Sequence, residues 1–519
     1  MELVQKNIHF NRIAKEARNQ ITIEEDVNIP DTKEDIEDIL CSNHSVMIED
    51  VKTGEQKVHI RGKLRYSVLY KSEETGDLCS LMGSIPIDEQ LYLEDVSGAD
   101  RVMVRPQVDD FSVGMINSRK ISIQSIVELY AYVQELYDEQ ITIGVDKVEC
   151  ESCQKECDFT QLAVCKKDLF RFRENITIPN NMPNVEDVVF SCVKVSDIEY
   201  KPMDGQLSVQ GKVQVFVIYD GERDCRNQVY QATVPFGAMM ECSGSNMNMV
   251  SQICYDVVDS QVHLETDFDG EARSFSVELV LELDIKLYEQ QKVNVLWDLY
   301  GLQKELKPDV RSMDYQVLAG QYMGKIKATD KINMPVNEDI RAKVVYSQGN
   351  ALLEKCEMTD EGMMIKGVVV CQVLYAAGME EEEYGCIHFT LPFMKTVEET
   401  EVFANKKMQS SVCIQCPDLQ ISFDMEGNMD ALAGISYNLL LFENITGRNI
   451  TNVDVYEMDM EKCNDLPSMA ICFVSKNDTL WEMGKKYGVP LGQIREVNQL
   501  SNNEIKEGDK ILIVRGMCS

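Results

Sequence analysis

The residues whose types and spacing best suit chemistry are the cysteines of "CESCQKEC", which are Cys150, Cys153 and Cys157, followed by Cys165. A Cys-x-x-Cys pair with further cysteines nearby can hold zinc or an iron–sulfur cluster. The spacing matches no established ligand pattern, and the group lies between two repeated units of the chain. The sequence therefore favours reduced cysteines in a linker, and it predicts neither a metal nor a cofactor.

Motifs of catalysis do not occur in the chain, which has no GxxxxGK[ST] phosphate loop, no HExxH and no GxSxG. The five histidines are scattered, and none stands in an obvious pairing with a nucleophile. Carboxylates are so abundant that a catalytic pair cannot be told from a solvated surface. We therefore expect a protein that is not an enzyme.

Charge and composition narrow the classes of partner. The chain has 51 Lys and Arg against 87 Asp and Glu, and its net charge of −36 would repel phosphate backbones and anionic lipid headgroups. We therefore expect no nucleic acid binding and no direct membrane insertion. No secretory signal or spanning segment is recognisable, so the 18 cysteines are expected to be reduced thiols of a cytoplasmic protein.

Three copies of one unit supply the elements that must position any site. In each copy a proline precedes a glycine by 32 residues, at Pro30 and Gly62, Pro179 and Gly211, and Pro335 and Gly367. A second proline follows each glycine, at Pro86, Pro235 and Pro392, and an aspartate closes each copy, at Asp146, Asp298 and Asp454. A period of roughly 150 residues indicates whole domains rather than solenoid repeats.

Each unit has the residue pattern of β-strands. Apolar residues alternate around the glycines in "VHIRGKLRYSVLY", "LSVQGKVQVFVIY" and "MMIKGVVVCQVLY". We predict a mainly β protein whose three tandem domains are sandwich-like or partly open barrels, at residues 1–149, 166–302 and 321–456. The shared glycine is expected at a bulge or a close backbone approach. Residues 150–165, 303–320 and 457–469 are expected to be connections that proteases cut first.

Residues 470–516 follow the order strand, helix, helix, strand. Asp478 is placed to cap the first helix, Gly488 suits its end, and Pro490 suits the start of the second helix. The closing strand is "KILIV". Apolar alternation predicts a small core, and the residues predicted to be structural are Met469, Ile471, Phe473, Tyr487, Ile511 and Ile513.

This last module resembles a LysM domain. The matching positions are Asp478, Thr479, Leu480, Tyr487, Val489, Asn498, Leu500, Ile505, Gly508, Ile511 and Ile513. Asn477 stands where the family usually has glycine, and Gly484 stands where it usually has alanine, which would loosen the first helix by about 1 kcal/mol. The resemblance implies a ligand groove between "SKNDT" and "NQLSNNEI", formed by Asn477, Asp478, Thr479, Leu480, Trp481, Asn498, Leu500 and Ile505.

The three upstream units are similar to SPOCS domains of clostridial and bacillar spore-coat proteins. The matching stretches are "NIPDTKEDI", "GKLRYSVLY" and the "IPI" turn. Three such units followed by one LysM domain resemble the SipL-like family of coat morphogenetic proteins. The resemblance implies a non-enzymatic adaptor in the mother-cell cytoplasm, recruited to the forespore surface, whose partners are the coat ATPase stage IV sporulation protein A, reached through LysM, and other coat proteins. Self-association stays open.

Two alternatives remain at this point. One is a cell-wall protein that uses LysM to bind peptidoglycan or another polymer of N-acetylglucosamine, and the other is a structural protein of a phage tail-like particle. Trp481 is the leading anchor for a protein partner, because tryptophan combines a large apolar area with an N–H donor. The competing interpretation is that Trp481 fills the core of the small module. Replacing Trp481 by alanine would separate the two interpretations.

Overall fold

The computed structural model describes residues 2–223, 225–266, 270–333, 342–378, 383–398, 408–415, 418–423, 428–458 and 466–515. Strands dominate these residues, and the two helices found among them both lie in the C-terminal module. The predicted mainly β fold is confirmed. Pro335 lies outside the described residues. None of the helices in the described part of the chain is long and apolar enough to cross a membrane.

Unit 1 is a sandwich of two antiparallel sheets. Its strands are β1 (Glu2–Asn28), β2 (Ile36–Thr53), β3 (Lys57–Ser72), β4 (Leu78–Tyr92), β5 (Val102–Asn117) and β6 (Lys120–Asp146). One sheet has the order β1-β6-β5 and the other the order β2-β3-β4. The core lies between them, where alternate residues of β3 such as Val58, Ile60 and Leu64 are fully buried.

Unit 2 repeats this architecture. Its strands are β7 (Cys150–Thr177), β8 (Val185–Met203), β9 (Gln206–Gly221), β10 (Cys225–Glu241), β11 (Val250–Thr266) and β12 (Ala272–Gly301). They form the sheets β11-β12-β7 and β10-β9-β8. The order of strands therefore matches that of unit 1.

Unit 3 has the same arrangement, with its edge strand described in two parts. Its strands are β13 (Lys304–Ile332), β14 (Ala342–Thr359), β15 (Gly362–Ala377), β16 (Glu383–Val397), β17 (Met408–Ile414), β18 (Asp418–Phe423) and β19 (Met429–Glu457). The sheet β14-β15-β16 is equivalent to those above, whereas the second sheet has the order β13-β19-β17, with β18 also paired to β19. β17 and β18 pair with consecutive stretches of β19 and together occupy the edge that β5 and β11 hold in the other units.

The repeated glycine lies opposite a bulge. In units 1 and 3 the strand before the glycine-containing strand shifts its pairing register directly after the residue opposite the glycine. That residue is Ile48 opposite Gly62 in unit 1 and Leu353 opposite Gly367 in unit 3. A methyl group on Gly62 would collide with the carbonyl oxygen of Met47, so only glycine permits this approach. The sequence prediction of a bulge or close backbone approach is confirmed.

The second proline of each unit lies in an edge strand. Pro86, Pro235 and Pro392 belong to β4, β10 and β16, and each is paired with the residue that follows the glycine on the neighbouring strand. Proline has no N–H to donate, and at the outer side of an edge strand no neighbouring strand needs that donor. A proline at this place also discourages pairing of the edge with another chain. The glycine and the proline therefore specify the middle and the edge of the same sheet.

The three units pack around a common core. Leu40, Val189 and Val345 stand 22 residues before their glycines, and Leu69, Ile218 and Leu374 stand 7 residues after them. All six side chains are buried in one cluster shared by the units. Equivalent positions therefore meet, which gives the body an approximate threefold arrangement.

A second shared cluster lies among the long strands. Phe10, Phe159 and Tyr315 each stand 52 residues before the glycine of their unit. Their ring centroids are 6.2 Å apart for Phe10 and Phe159, 6.1 Å for Phe10 and Tyr315, and 4.7 Å for Phe159 and Tyr315. Aromatic contact between units adds to the apolar area that they bury.

The segments expected to connect the units are strands instead. Residues 150–165 form the first half of β7 and pair with β12, and residues 304–320 lie in β13 and pair with β19. They extend the sheets because their backbone groups complete the ladders of the closing strands. Neither segment is the exposed connection that we expected, while the domain bounds themselves stay a prediction.

The C-terminal module has the predicted order of elements. It consists of β20 (Met469–Phe473), α1 (Leu480–Tyr487), α2 (Leu491–Asn498) and β21 (Lys510–Val514). The strands β20 and β21 form a two-stranded antiparallel sheet. Both helices are only eight residues long, so their stability comes from packing on this sheet rather than from helix propensity.

Candidate functional site

The loop that opens the predicted groove is fixed by its own side chains. Thr479 caps α1, since its hydroxyl oxygen accepts a hydrogen bond from the Glu482 N–H at 3.2 Å. The cap is one residue later than the predicted Asp478, whose carboxylate instead accepts from the Ser475 N–H at 2.8 Å. Asn477 adopts a left-handed conformation with φ of 77°, which explains why it can replace the usual glycine.

Several residues assigned to the groove lie in the core of the module. Leu480 is buried together with Ile494, Ile511 and Ile513, while Tyr487, Leu500 and Ile505 pack partly buried against them. Ile511 and Ile513 point to the helices because alternate residues of β21 face one side. Leu480, Leu500 and Ile505 therefore stabilise the module rather than present themselves to a ligand.

Asn498 connects α2 to the closing strand. Its amide Nδ2 donates to the carbonyl oxygens of Leu512 at 2.7 Å and Ile494 at 2.8 Å. Its Oδ1 accepts from the Leu512 N–H at 2.7 Å. All three bonds are internal to the module, so the geometry gives Asn498 a structural role.

The side chains of β20 that we predicted to be structural are exposed. Met469, Ile471 and Phe473 retain 61%, 63% and 66% of their accessible surface. The sheet has only two strands, and the helices pack on one of its faces, so the alternate residues of β20 face outward. The structural assignment of Met469 and the core assignment of Ile471 and Phe473 were wrong, because a period of two does not tell which face is covered.

Trp481 contacts unit 2 rather than the core of its own module. Its indole Nε1 donates to the Asp298 carboxylate at 2.9 Å, and the Lys485 ammonium donates to both oxygens of the same carboxylate at 2.8 and 2.7 Å. Asp298 is the aspartate that closes unit 2. The two interpretations offered by the sequence, partner anchor and core residue, both omit this contact between domains.

Tyr300 completes the contact two residues after Asp298. Its ring meets the Trp481 ring edge to face at a centroid distance of 5.0 Å, and its hydroxyl donates to the Val489 carbonyl at 2.8 Å. A methyl group on Gly484 would lie 2.6 Å from the Tyr300 hydroxyl oxygen. Glycine at the position where LysM domains usually have alanine therefore makes room for a tyrosine from another domain.

The electrostatics of this contact favour the ionised carboxylate. Burial alone would raise the pKa of Asp298, but hydrogen bonds from Lys485 and Trp481 outweigh burial and hold the pKa below its ordinary value. Burial also raises the pKa of the Tyr300 hydroxyl above its ordinary value. We call these five residues, Asp298, Tyr300, Trp481, Gly484 and Lys485, the dock.

Comparison with protein families accounts for both parts of the chain. A family model described as SipL, SPOCS domain matches residues 35–116 and 184–265, and a model of the LysM domain matches residues 474–514. The chain therefore resembles SipL-like proteins in carrying both SPOCS domains and a LysM domain. No curated protein and no solved structure matches it.

The SPOCS matches coincide with a definite part of the fold. They run from the first strand of the glycine-containing sheet, β2 or β8, to the edge strand of the other sheet, β5 or β11. Unit 3 lies outside these two segments, although its glycine-containing sheet has the same order of strands. The matched domains are non-catalytic binding and structural domains, and they support a sporulation-related protein.

The cysteines at the start of β7 do not converge. A strand rises about 3.3 Å per residue, so Cys150 and Cys165 lie roughly 50 Å apart along it. Burial raises the pKa of Cys150, Cys153, Cys157 and Cys165, which favours the thiol over the metal-binding thiolate. Among the residues that the structure describes, no group of three or more His, Cys, Asp or Glu side chains could hold a metal ion.

Sequence reasoning missed a cysteine–histidine pair. Cys386 Sγ lies 3.6 Å from His388 Nε2, and it hydrogen-bonds to Cys41 of unit 1. The hydrogen bond with Cys41 is the main reason that the pKa of Cys386 is lowered. Burial alone would raise this pKa, and the hydrogen bond with His388 lowers it further. The spacing Cys-x-His on one face of a strand was the signal, but the partner from unit 1 is visible only in the folded protein.

A further pair of cysteines comes together from two units. The sulfur atoms of Cys254 of β11 and Cys413 of β17 are in contact, whereas thirteen other described cysteines are free. The expectation of reduced thiols throughout does not anticipate this pair. The long sequence separation of 159 residues hides such a contact from any spacing analysis.

Proposed function

We propose that this protein is a non-enzymatic adaptor of the spore coat. Its three-unit β body carries a LysM module that binds the coat ATPase, stage IV sporulation protein A. The protein works in the mother-cell cytoplasm and is recruited to the forespore surface together with other coat proteins. The SPOCS and LysM matches support the sporulation context, and the exposed face of the LysM sheet supports docking on protein.

The observation that carries the proposal is the apolar face of β20. Met469, Ile471 and Phe473 lie in a row, and their neighbours on β21 are Val514, Leu512 and Lys510. The Lys510 ammonium lies 5.5 Å from the centre of the Phe473 ring, at one end of the row. A contiguous apolar patch of this kind is unusual on a soluble surface and is typical of protein interaction sites. Phe473 and Met469 belong to the residue types that are enriched at the centres of interfaces.

The polar side chains of the expected sugar groove favour protein over glycan as the ligand. Asp478 and Thr479 accept backbone N–H groups of their own loop, and Asn498 binds the backbone of β21. Sugar recognition depends on polar side chains that can exchange their hydrogen bonds with water for hydrogen bonds with the hydroxyl groups of the ligand. With these three groups engaged inside the module, the apolar sheet face is the better recognition surface.

The dock fixes the direction in which this face is presented. Trp481 and Lys485 lie on α1 and hold the helix layer against unit 2, while the apolar residues lie on the opposite side of the sheet. A preorganised surface loses less conformational entropy on binding than a module on a free tether. The body therefore supports the adaptor role by orienting the LysM module.

The proposal can be tested with the purified full-length chain and purified stage IV sporulation protein A. Replacing Ile471 and Phe473 together by glutamate is expected to weaken binding at least about 30-fold, which is about 2 kcal/mol. The matched control is Val497→Glu, which adds a charge at an exposed apolar residue of α2 in the same module. Binding by the double variant equal to that of the control would refute the docking face.

A second binding experiment, with sugar as the ligand, distinguishes the adaptor from a cell-wall protein. The wild-type chain is titrated with oligomers of N-acetylglucosamine under the same conditions. The adaptor predicts binding to the protein partner and no measurable binding to the sugar. Binding to the sugar alone would instead support a cell-wall role. A fluorescent fusion is expected to ring the forespore only during sporulation, and uniform fluorescence in growing cells would contradict the adaptor.

A further inference from the structure

Cys254 and Cys413 bring two different units into sulfur contact. Cys254 lies on β11 of unit 2 and Cys413 on β17 of unit 3. Their Cα atoms are 5.9 Å apart, which is within the range that a disulfide spans without movement of the backbone. The backbones of the two units are therefore already placed for a covalent link.

Hydrogen bonds two residues away fix the register of this contact. Gln252 Nε2 donates to the Ser411 carbonyl at 2.9 Å, and the Ser411 hydroxyl donates to Gln252 Oε1 at 3.0 Å. Side chains two residues apart point to the same face of a strand. Aligning Gln252 with Ser411 therefore aligns Cys254 with Cys413.

The equivalent position of unit 1 also contacts the next unit. Arg105 stands 43 residues after Gly62, as Cys254 does after Gly211. Arg105 forms an ion pair with Asp284 of unit 2. The same place in the repeated fold thus joins unit 1 to unit 2 by charge and unit 2 to unit 3 by sulfur.

The strand that carries Cys413 lies at the edge of its sheet. β17 pairs with β19, and no further described strand follows it in the order β13-β19-β17. An edge strand opens more readily than a central strand, because only one neighbour holds it. A bond from Cys413 to β11 would hold β17 in place.

The sulfur atoms are within reach of a small oxidant. Cys413 is only 8% exposed, but it borders a cavity of about 880 Å³ that opens between units 2 and 3. Cytosolic disulfides are usually transient and redox-sensing rather than permanent. A pair of cysteines between two domains, open to solvent through a cavity, fits that class.

We propose that Cys254 and Cys413 are an oxidative modification site, at which a peroxide joins unit 2 to unit 3 by a reversible disulfide. One cysteine loses its proton, and its thiolate attacks one peroxide oxygen and becomes a sulfenic acid. The O–O bond breaks, and the released hydroxide takes up that proton and leaves as water. The second thiol attacks the sulfenic sulfur, the S–S bond forms, and a second water leaves. Hydrogen peroxide is thereby reduced to two waters as two thiols become one disulfide. The proposal rests on the cytoplasmic location given under the proposed function, but not on the binding partner of the LysM module.

The test uses the full chain, first reduced and then treated with stoichiometric hydrogen peroxide. Peptide mass spectrometry without reductant is expected to find the peptide of Cys254 joined to that of Cys413. Hydrogen exchange in Met408–Ile414 is expected to slow at least several-fold on oxidation and to return to its starting rate on reduction. Because both states come from the same wild-type chain, the comparison needs no variant that folds differently.

A serine variant and a matched control complete the experiment. In Cys254→Ser the slowing of exchange in β17 should disappear, while Cys242→Ser, which removes a buried free thiol of the same unit, should keep it. Alkylation of both Cys254 and Cys413 after peroxide treatment would overturn the proposal. So would a disulfide found only between Cys41 and Cys386, the other sulfur contact between units.

Discussion

Trp481 of the LysM module donates its indole N–H to Asp298 of unit 2 at 2.9 Å, across a sequence separation of 183 residues. Lys485 binds the same carboxylate, and Tyr300 packs on the indole ring. A small domain with a core of its own is thereby held in a fixed orientation on a large β body. Four predictions follow from this contact and from the repeated units.

Acid is expected to open the dock through Asp298. The pKa of Asp298 is lowered in the folded protein, so its bonds contribute stability above the ordinary carboxyl pKa of about 4 and lose it as the pH falls through the folded value. The indole resonance of Trp481 in tryptophan-labelled protein should shift in that range. In Asp298→Asn the Trp481 resonance should no longer move with pH; an unchanged titration would remove Asp298 from the dock.

Gly484→Ala is expected to destabilise the docked state although alanine is the better helix former. The new methyl group would lie 2.6 Å from the Tyr300 hydroxyl oxygen, and such overpacking costs about 1–3 kcal/mol against a helix gain of about 1 kcal/mol. Protection of Leu480–Tyr487 in hydrogen exchange measures the result. Adding Tyr300→Phe removes the clash and should restore part of the protection; a Gly484→Ala chain that is better protected than wild type would contradict this account.

Cys386 is expected to be the free thiol that reacts first with iodoacetamide at neutral pH. The hydrogen bond with Cys41 and the neighbouring His388 lower the pKa of Cys386, so a larger fraction of it is thiolate. Cys165 is an exposed residue, but partial burial of its sulfur atom raises its pKa and favours the less reactive thiol. His388→Ala should slow alkylation of Cys386 several-fold, and His263→Ala, outside this cluster, should not. Faster alkylation of Cys165 would show that exposure rather than ionisation controls reactivity.

Gly62→Ala is expected to lower the free energy of unfolding of unit 1 by about 1–3 kcal/mol, because the added methyl group collides with the Met47 carbonyl. Gly114→Ala is the matched control, since it lies in another strand of the same unit and its methyl group would meet no atom within 4 Å. Thermal unfolding measures both. Equal effects of the two substitutions would show that Gly62 is not required by packing.

The sequence predicted the local features of the fold well. Period-two alternation, the spacing of Gly62, Gly211 and Gly367, and the edge prolines specify strands, bulges and three equivalent units, because each depends on neighbours within one sheet. The LysM elements were likewise readable from caps and turn residues such as Asn477 and Gly488. Local backbone preferences and side-chain direction determine all of these features.

The tertiary structure alone decided which of these features meet. Three aspartates close the units, but only the contact with LysM shows that Asp298 forms the dock, and only packing shows which face of β20 stays exposed at Met469 and Phe473. Cys150 and Cys165 are neighbours in sequence and far apart on a strand, whereas Cys254 and Cys413 are 159 residues apart and in contact. Spacing along the chain constrains contacts within an element, while contacts between domains depend on surfaces that no periodicity encodes.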